Sequence, residues 1–155
     1  MKILFVCLGN ICRSSAAQGV FEKIIQQRGV EKYFSVDSAG LISYHQGELS
    51  DPRMIAHAKV RGYNLTHRSR PITQKDFEEF DYIFAMDNDN IKRLSRINAE
   101  LTAKKVTLLA EYCTEHEAKI IPDPYYGTGK DFDYVLDLLE DSCTNLCNIL
   151  LKELN

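Results

Sequence analysis

Apolar runs and stretches of helical periodicity alternate along this chain. "KILFVCL" (2–8) is a continuous run of branched and aromatic residues, the pattern of a strand buried on both faces. From Ser14 to Arg28, Ala17, Val20, Phe21, Ile24 and Ile25 share one helical stripe, and Gly29 stands where that helix should stop. "FSVDSAG" (34–40) predicts a second strand ending in a turn. "DPRMIAHAKVRG" (51–62) predicts a helix with Asp51 as N-cap, Pro52 at its first position and Gly62 at its end. "DYIFAM" (81–86) is a third strand, followed by a helix over about 88–98, and "KKVTLLAEY" (104–112) is a fourth. The last helix carries Phe132, Val135, Leu136, Leu139, Cys143, Leu146 and Leu150 at three-four spacing.

Strands separated by helices argue for right-handed crossovers and a parallel sheet covered on both faces, a three-layer α/β fold. Ligands of such sheets bind outside the carboxyl ends of the strands, which is where Cys7 falls. No repeat, low-complexity segment or Gly/Ser linker interrupts the pattern, so residues 1–155 read as a single domain.

Composition narrows the class. A formal charge of −3 and a pI near 5.8 offer no general basic surface, so nucleic acid is not an expected partner. The run Ile3–Leu8 is too short for the core of an export signal, and no apolar segment reaches the roughly 18 residues of a membrane span. Asn64-Leu65-Thr66 matches a glycosylation sequon, which without export is a chance match. Five irregularly spaced cysteines without a Cys-x-x-Cys pair, and four scattered histidines, suit neither a disulfide framework nor a structural zinc site. The expectation is a reduced, cytoplasmic protein without a structural zinc site.

Chemistry concentrates in "VCLGNICRSS" (6–15), a Cys7-x5-Arg13 spacing between a strand and a helix. The loop Leu8-Gly9-Asn10-Ile11-Cys12 can curl its backbone N–H groups inward as an anion nest, helped by Gly9 and Asn10, which tolerate unusual backbone angles. The helix after it aims its positive end at the same point, and Arg13 can clamp two oxygens of a phosphate. The same surroundings favour the thiolate of Cys7, an in-line nucleophile beneath a bound phosphate. Ser14 can donate its hydroxyl to that sulfur. Taken alone, a cysteine at a strand end is a small core residue. It is the setting that makes this one a nucleophile.

The leaving group needs an acid, and "IPDPYYG" (121–127) holds Asp123 between Pro122 and Pro124 on a stiffened loop. Tyr125 and Tyr126 can wall a slot for an aromatic ring. By itself the segment is turn chemistry. Beside the cysteine loop it becomes the second half of a site.

With these residues the sequence resembles the low-molecular-weight protein tyrosine phosphatases across its whole length, in "VCLGNICRSS", "DSAG", "DPR", "SRPIT", "FDYIFAMDNDN" and "PDPYYG". The resemblance implies a four-stranded parallel sheet flanked by helices, with the phosphate-binding loop after the first strand and with no metal or organic cofactor. It implies Cys7 as nucleophile, Arg13 as clamp, Asp123 as general acid, Leu8 to Cys12 as the amide cradle, and Ser14 as partner of the thiolate. It further implies that Ser38 and His67 hold Asn10 in its strained conformation, that Asp87 is a structural acid near the site, and that Tyr44 and Tyr125 are the walls of the slot. His45 occupies the rim position that varies in that family. Implied partners are phosphotyrosine proteins, small aryl phosphates and inorganic phosphate, with no membrane and no stated oligomeric state. In some members a cysteine at the position of Cys12 forms a disulfide with the nucleophile under peroxide, a reading set here against a plain loop residue. Cys143 and Cys147, four apart on an apolar helix face, read as core. The chain departs from the family pattern at Ser15, commonly Pro, and Gln18, commonly acidic, which puts the rigidity of the loop in question.

Two rivals remain at this level. A thioredoxin-linked arsenate reductase shares the cysteine-loop signature but needs relay cysteines after the third strand, and "AMDNDNIKRLSRINAE" has none. A phosphotyrosine-binding module would be expected to have lost Cys7, Arg13 or Asp123, and all three are present. A nucleotide P-loop is excluded because Gly-x4-Gly-Lys-Ser/Thr is absent.

Overall fold

The structure, a computed structural model, describes residues 1–155. Four strands, β1 (Lys2–Cys7), β2 (Ser35–Gly40), β3 (Tyr82–Ala85) and β4 (Val106–Leu108), form one parallel sheet in the order β2-β1-β3-β4. β1 therefore lies inside the sheet, pairing Cys7 with Gly40 on one side and Val6 with Ala85 on the other. The strand order reverses at β1, so the crevice at its carboxyl end is the expected ligand site.

Period-two alternation on β1 sorts its side chains between two cores. Ile3, Phe5 and Cys7 point into the larger one with Phe84, against α1 (Arg13–Gln27) and α6 (Gly129–Glu153). Leu4 and Val6 point into the smaller one with Ile83 and Ala85, against α3 (Gln74–Glu79) and α4 (Asn88–Ile97). Both faces of β1 are buried, which accounts for the unbroken apolar run. Helix α1 ends at the expected place, with Gly29 just beyond it at φ 67°, a conformation without steric cost only for glycine. Its stripe is buried except Ile24, which lies at the flank. Helix α2 (Pro52–Val60) has Asp51 as N-cap, its carboxylate accepting from the Arg53 N–H.

The elements differ from the sequence expectation mainly around the fourth strand. Residues 99–105 form a helix, α5 (Ala99–Lys105), started by Asn98, whose side chain accepts from the Leu101 N–H. Only Val106–Leu108 pairs with β3, and Leu109–Tyr112 coils into a 3-10 turn whose Leu109 and Ala110 join the larger core. The short α3, started by a Thr73–Asp76 capping box, was also not anticipated. Cys143 and Cys147 are buried in the core as expected. No helix is long and apolar enough to cross a membrane.

Candidate active site

The loop between β1 and α1 is held from outside by its carbonyls. Those of Cys7 and Leu8 accept from Leu41 and Ile42 N–H groups, that of Gly9 from the Ser69 hydroxyl, that of Ile11 from Asp51 N–H, and that of Cys12 from Ala16 N–H. A loop whose carbonyls are taken by the scaffold presents its amide edge to the cavity. Neighbouring strand β2 ends in Gly40, where a Cβ would sit 3.1 Å from the loop backbone, so a larger residue there would press on the loop by a few tenths of an ångström.

Asn10 is the non-glycine residue with positive φ, 58°, and it is buried. Its side chain is saturated. Nδ2 donates to Ser14 Oγ at 2.7 Å and to Ser38 Oγ at 3.0 Å. Oδ1 accepts from Arg70 N–H at 3.1 Å and lies 2.9 Å from His67 Nε2, so His67 carries its proton there. Because the Ser14 hydroxyl accepts from Asn10, its own hydrogen is free for Cys7 Sγ at 3.0 Å. Asn10 N–H donates to the same sulfur at 3.3 Å. Two donors therefore converge on Sγ.

The two departures of the sequence are part of this scaffold. Gln18 Oε1 accepts from the Ser38 hydroxyl at 2.7 Å, and buried Ser15 meets the Ser50 hydroxyl at 2.8 Å. The helix that follows the loop is thus tied at both positions by neutral hydrogen bonds, and Gln18 reaches the loop through Ser38 and Asn10. The sequence marks Gln18 only as a departure from the family pattern, because its partner Ser38 lies twenty positions away.

Arg13 is 3% exposed, and its Nη1 donates to Asp87 Oδ2 at 2.6 Å and to the Ile121 carbonyl at 3.0 Å. Its Nη2 lies 3.7 Å from Asp123 Oδ2. Burial disfavours the guanidinium charge, but Cys7 and the carboxylates of Asp87 and Asp123 outweigh it and raise the Arg13 pKa. Asp87 does double duty, since its other oxygen caps α4 by accepting from Asn90 N–H. Cys12 is buried at the N-cap of α1, and burial, followed by the charges of Asp51, Cys7 and Asp123, raises its pKa.

Cys7, Leu8, Gly9, Ile11, Cys12, Arg13, Ile42, Tyr44, His45, Asp123, Tyr125 and Tyr126 line one pocket of about 340 Å³. The rim is loosely held. Tyr44 is 83% exposed and Tyr126 is 96% exposed, each packed edge-on against its neighbour, His45 and Tyr125. His45 lies against Gly9 and pairs through Nδ1 with Glu48 at 2.5 Å. Asp123 sits opposite Arg13, with Oδ1 accepting from Tyr125 N–H at 3.1 Å. The residues singled out from sequence are thus brought together, with Ser38, His67 and Asp87 forming the shell behind the pocket.

The chain as a whole matches a family. The family model described as low molecular weight phosphotyrosine protein phosphatase matches residues 2–155. The chain belongs to that family. It is 40% identical over 144 residues to the low molecular weight phosphotyrosine protein phosphatase of Schizosaccharomyces pombe, covering 92% of each chain. A protein tyrosine phosphatase from Entamoeba histolytica superposes with a TM-score of 0.95 at 46% identity, covering 100% of this chain and 99% of the other. The Drosophila arginine phosphatase is 36% identical, with a TM-score of 0.89 over 97% of this chain and 98% of its own. The chain is thus a protein tyrosine phosphatase by family and a hydrolase by class.

Proposed function

We propose that this phosphatase cleaves phosphotyrosine and aryl phosphates in two steps through Cys7. Sγ attacks phosphorus in line while Arg13 and the amide edge of residues 8–12 hold the three non-bridging oxygens. Asp123 gives its proton to the departing phenolic oxygen, leaving a cysteinyl-phosphate. Asp123, now a base, takes a proton from water as its oxygen attacks phosphorus. The S–P bond breaks, inorganic phosphate leaves, and the Ser14 hydroxyl steadies the returning thiolate. The observation that carries this reading is the convergence of Ser14 Oγ and Asn10 N–H on Cys7 Sγ in the pocket that also holds Arg13 and Asp123.

An apolar lining of Ile11, Ile42, Tyr44 and Tyr125 suits an aromatic ring, while phosphoserine has too short an arm to reach Sγ past those walls. It suits a phosphorylated guanidinium poorly, since Asp123 is the one carboxylate there to accept its N–H groups. Phosphotyrosine is therefore favoured over the phosphoarginine that the Drosophila relative's name suggests.

Cys12 fits a protective role under peroxide. Hydrogen peroxide oxidises the Cys7 thiolate to sulfenic acid with release of hydroxide, and the Cys12 thiol then displaces the sulfenic hydroxyl as water to form a disulfide. Recovery of peroxide-treated enzyme by thiol reductant is expected, and Cys7 found as sulfonic acid would overturn it.

The primary test is release of p-nitrophenol from its phosphate ester in chelator-containing buffer, comparing wild type with Cys7→Ser and Asp123→Ala. Turnover in wild type, none in Cys7→Ser and slowed turnover in Asp123→Ala support the assignment. Wild type that binds phosphate but turns nothing over defeats it.

A further inference from the structure

The acid loop is short of anchors. Pro122 and Pro124 remove two backbone donors around Asp123. Tyr125 N–H is used on Asp123 itself, and Gly127 N–H turns back to the Pro124 carbonyl. Among residues 122–127, one hydrogen bond reaches another element of the fold, from Arg53 Nη2 to the Tyr125 carbonyl at 2.9 Å.

Arg53, whose side chain is 46% exposed, is itself held by its neighbours. Its Nε and Nη2 grip Asp51 Oδ1 and Oδ2 at 3.0 and 2.8 Å, a bidentate pair with a carboxylate that is 7% exposed. The guanidinium lies 4.7 Å from the Phe132 ring centroid and 5.4 Å from that of Tyr125. Asp51 in turn donates its N–H to the Ile11 carbonyl of the phosphate cradle at 2.8 Å. A continuous path therefore runs from the cradle at Ile11, through Asp51, Arg53 and Tyr125, to the carboxyl of Asp123.

We infer that Arg53 is a positioning residue that ties the loop of Asp123 to the phosphate cradle, so that the acid stands at a set distance from the bond being broken. This deepens the reading above and rests on Asp123 as general acid. Without the tie, the carboxyl samples positions from which the leaving oxygen is out of reach, while Cys7, Arg13 and the amide edge stay in place. The loss falls on proton transfer and spares phosphate binding. It is greatest for esters whose leaving group must be protonated to depart.

The test measures kcat/KM for phenyl phosphate, a poor leaving group, and for 2,4-dinitrophenyl phosphate, which departs as an anion. Arg53→Gln is expected to lower the first about tenfold, within the usual share of general acid catalysis, and to leave the second nearly unchanged. Arg53→Lys, which keeps the charge but loses the fork, should fall between wild type and Arg53→Gln. Competitive inhibition by inorganic phosphate should stay as in wild type in both, which also reports that the cradle is folded. In an Asp123→Asn background Arg53→Gln should cost nothing further, because two residues acting through one proton transfer are not additive.

Equal losses on both esters, additivity with Asp123→Asn, or weakened phosphate inhibition would reduce Arg53 to a structural residue. If Asp123→Asn alone treats both esters alike, the acid assignment itself falls and the tie falls with it.

Discussion

The cradle around Cys7 and the rim formed by Tyr44, His45, Tyr125 and Tyr126 line one pocket, yet they are held in different ways. The polar side chains around the sulfur have several partners each. Asn10 alone meets Ser14, Ser38, His67 and Arg70, and Arg13 meets Asp87, Ile121 and Asp123. The rim rests on edge-on ring contacts, a His45–Glu48 pair and the single bond from Arg53. A strained backbone angle persists only where the surroundings over-determine it, so it is found in the cradle and not at the rim. The difference separates two tasks. Stabilising charge on a phosphate demands donors fixed in advance, whereas accepting a protein-borne tyrosine needs a mouth that can adjust.

The largest effect that can probe this contrast short of removing Cys7 is Arg13→Lys. It keeps the charge and loses the fork, so a cradle that works by geometry should lose about 10²- to 10³-fold in kcat. The buried Ile121 carbonyl would lose its Arg13 donor, so thermal stability should fall as well. Steady-state kinetics with p-nitrophenyl phosphate and a melting curve check both. Retention of near-native turnover would mean that charge alone suffices and that the preorganised geometry is incidental.

Asn10 allows strain and network to be separated. Asn10→Gly restores an easy backbone at φ 58° but deletes four side-chain hydrogen bonds, while Asn10→Ala deletes the bonds and keeps the strain. Asn10→Ala should cost about 2–3 kcal/mol of stability, the sum of an αL penalty and unsatisfied buried partners, and Asn10→Gly visibly less. Urea unfolding of the pair measures the difference directly. Equal losses would remove strain from the account.

The residues that could be placed in the site from sequence are those that a local pattern marks. Cys7, Gly9, Asn10, Arg13 and Ser14 lie within one strand–loop–helix segment, and Asp123 is marked by its flanking prolines. Gln18 and Arg53 were illegible as supports for the opposite reason. Gln18 meets Ser38 twenty positions away, and Arg53 meets Tyr125 seventy-two positions away, so neither is visible before the chain is folded. The same logic explains the fold. β1, α1 and α6 announce themselves by long periodic runs, whereas β4 keeps only three paired residues because Leu109 and Ala110 are claimed by the larger core. Helix α5 was hidden by its own two lysines running into a β-like stretch, though Asn98 at its start was a usable cap signal.

His67 extends the comparison to pH. Burial lowers its pKa below the ordinary 6.5, with Asp37 opposing and Arg70 adding to the shift. Below the ordinary value the unfolded chain takes up a proton that the folded chain resists, so folding stability should fall as pH drops from about 6.5 through the lower folded value. His67→Gln, whose amide can still donate to Asn10, should flatten that part of a urea-stability profile. An unchanged slope between pH 7 and 5 would show that other groups set it.

The smallest effect is expected at Tyr126, and it sharpens the contrast most narrowly because Tyr125 is its immediate neighbour. Tyr126 is 96% exposed, and its ring contact is with Tyr125. Tyr125 is 36% exposed, lies under the Arg53 guanidinium and offers Arg53 its carbonyl. Tyr126→Ala therefore loses one edge-on contact of roughly 0.5–1.5 kcal/mol at most, where solvent already competes. KM for a phosphotyrosine peptide should rise no more than about threefold, the equivalent of under 1 kcal/mol, with kcat and stability unchanged. Tyr125→Ala removes the wall of the slot and the ring beneath Arg53, so it should raise KM further and also lower kcat/KM selectively for phenyl phosphate. If Tyr126→Ala proves the more damaging of the two, the mouth of the pocket is defined by its exposed ring, and the division between a fixed cradle and an adjustable rim must be redrawn with Tyr126 on the fixed side.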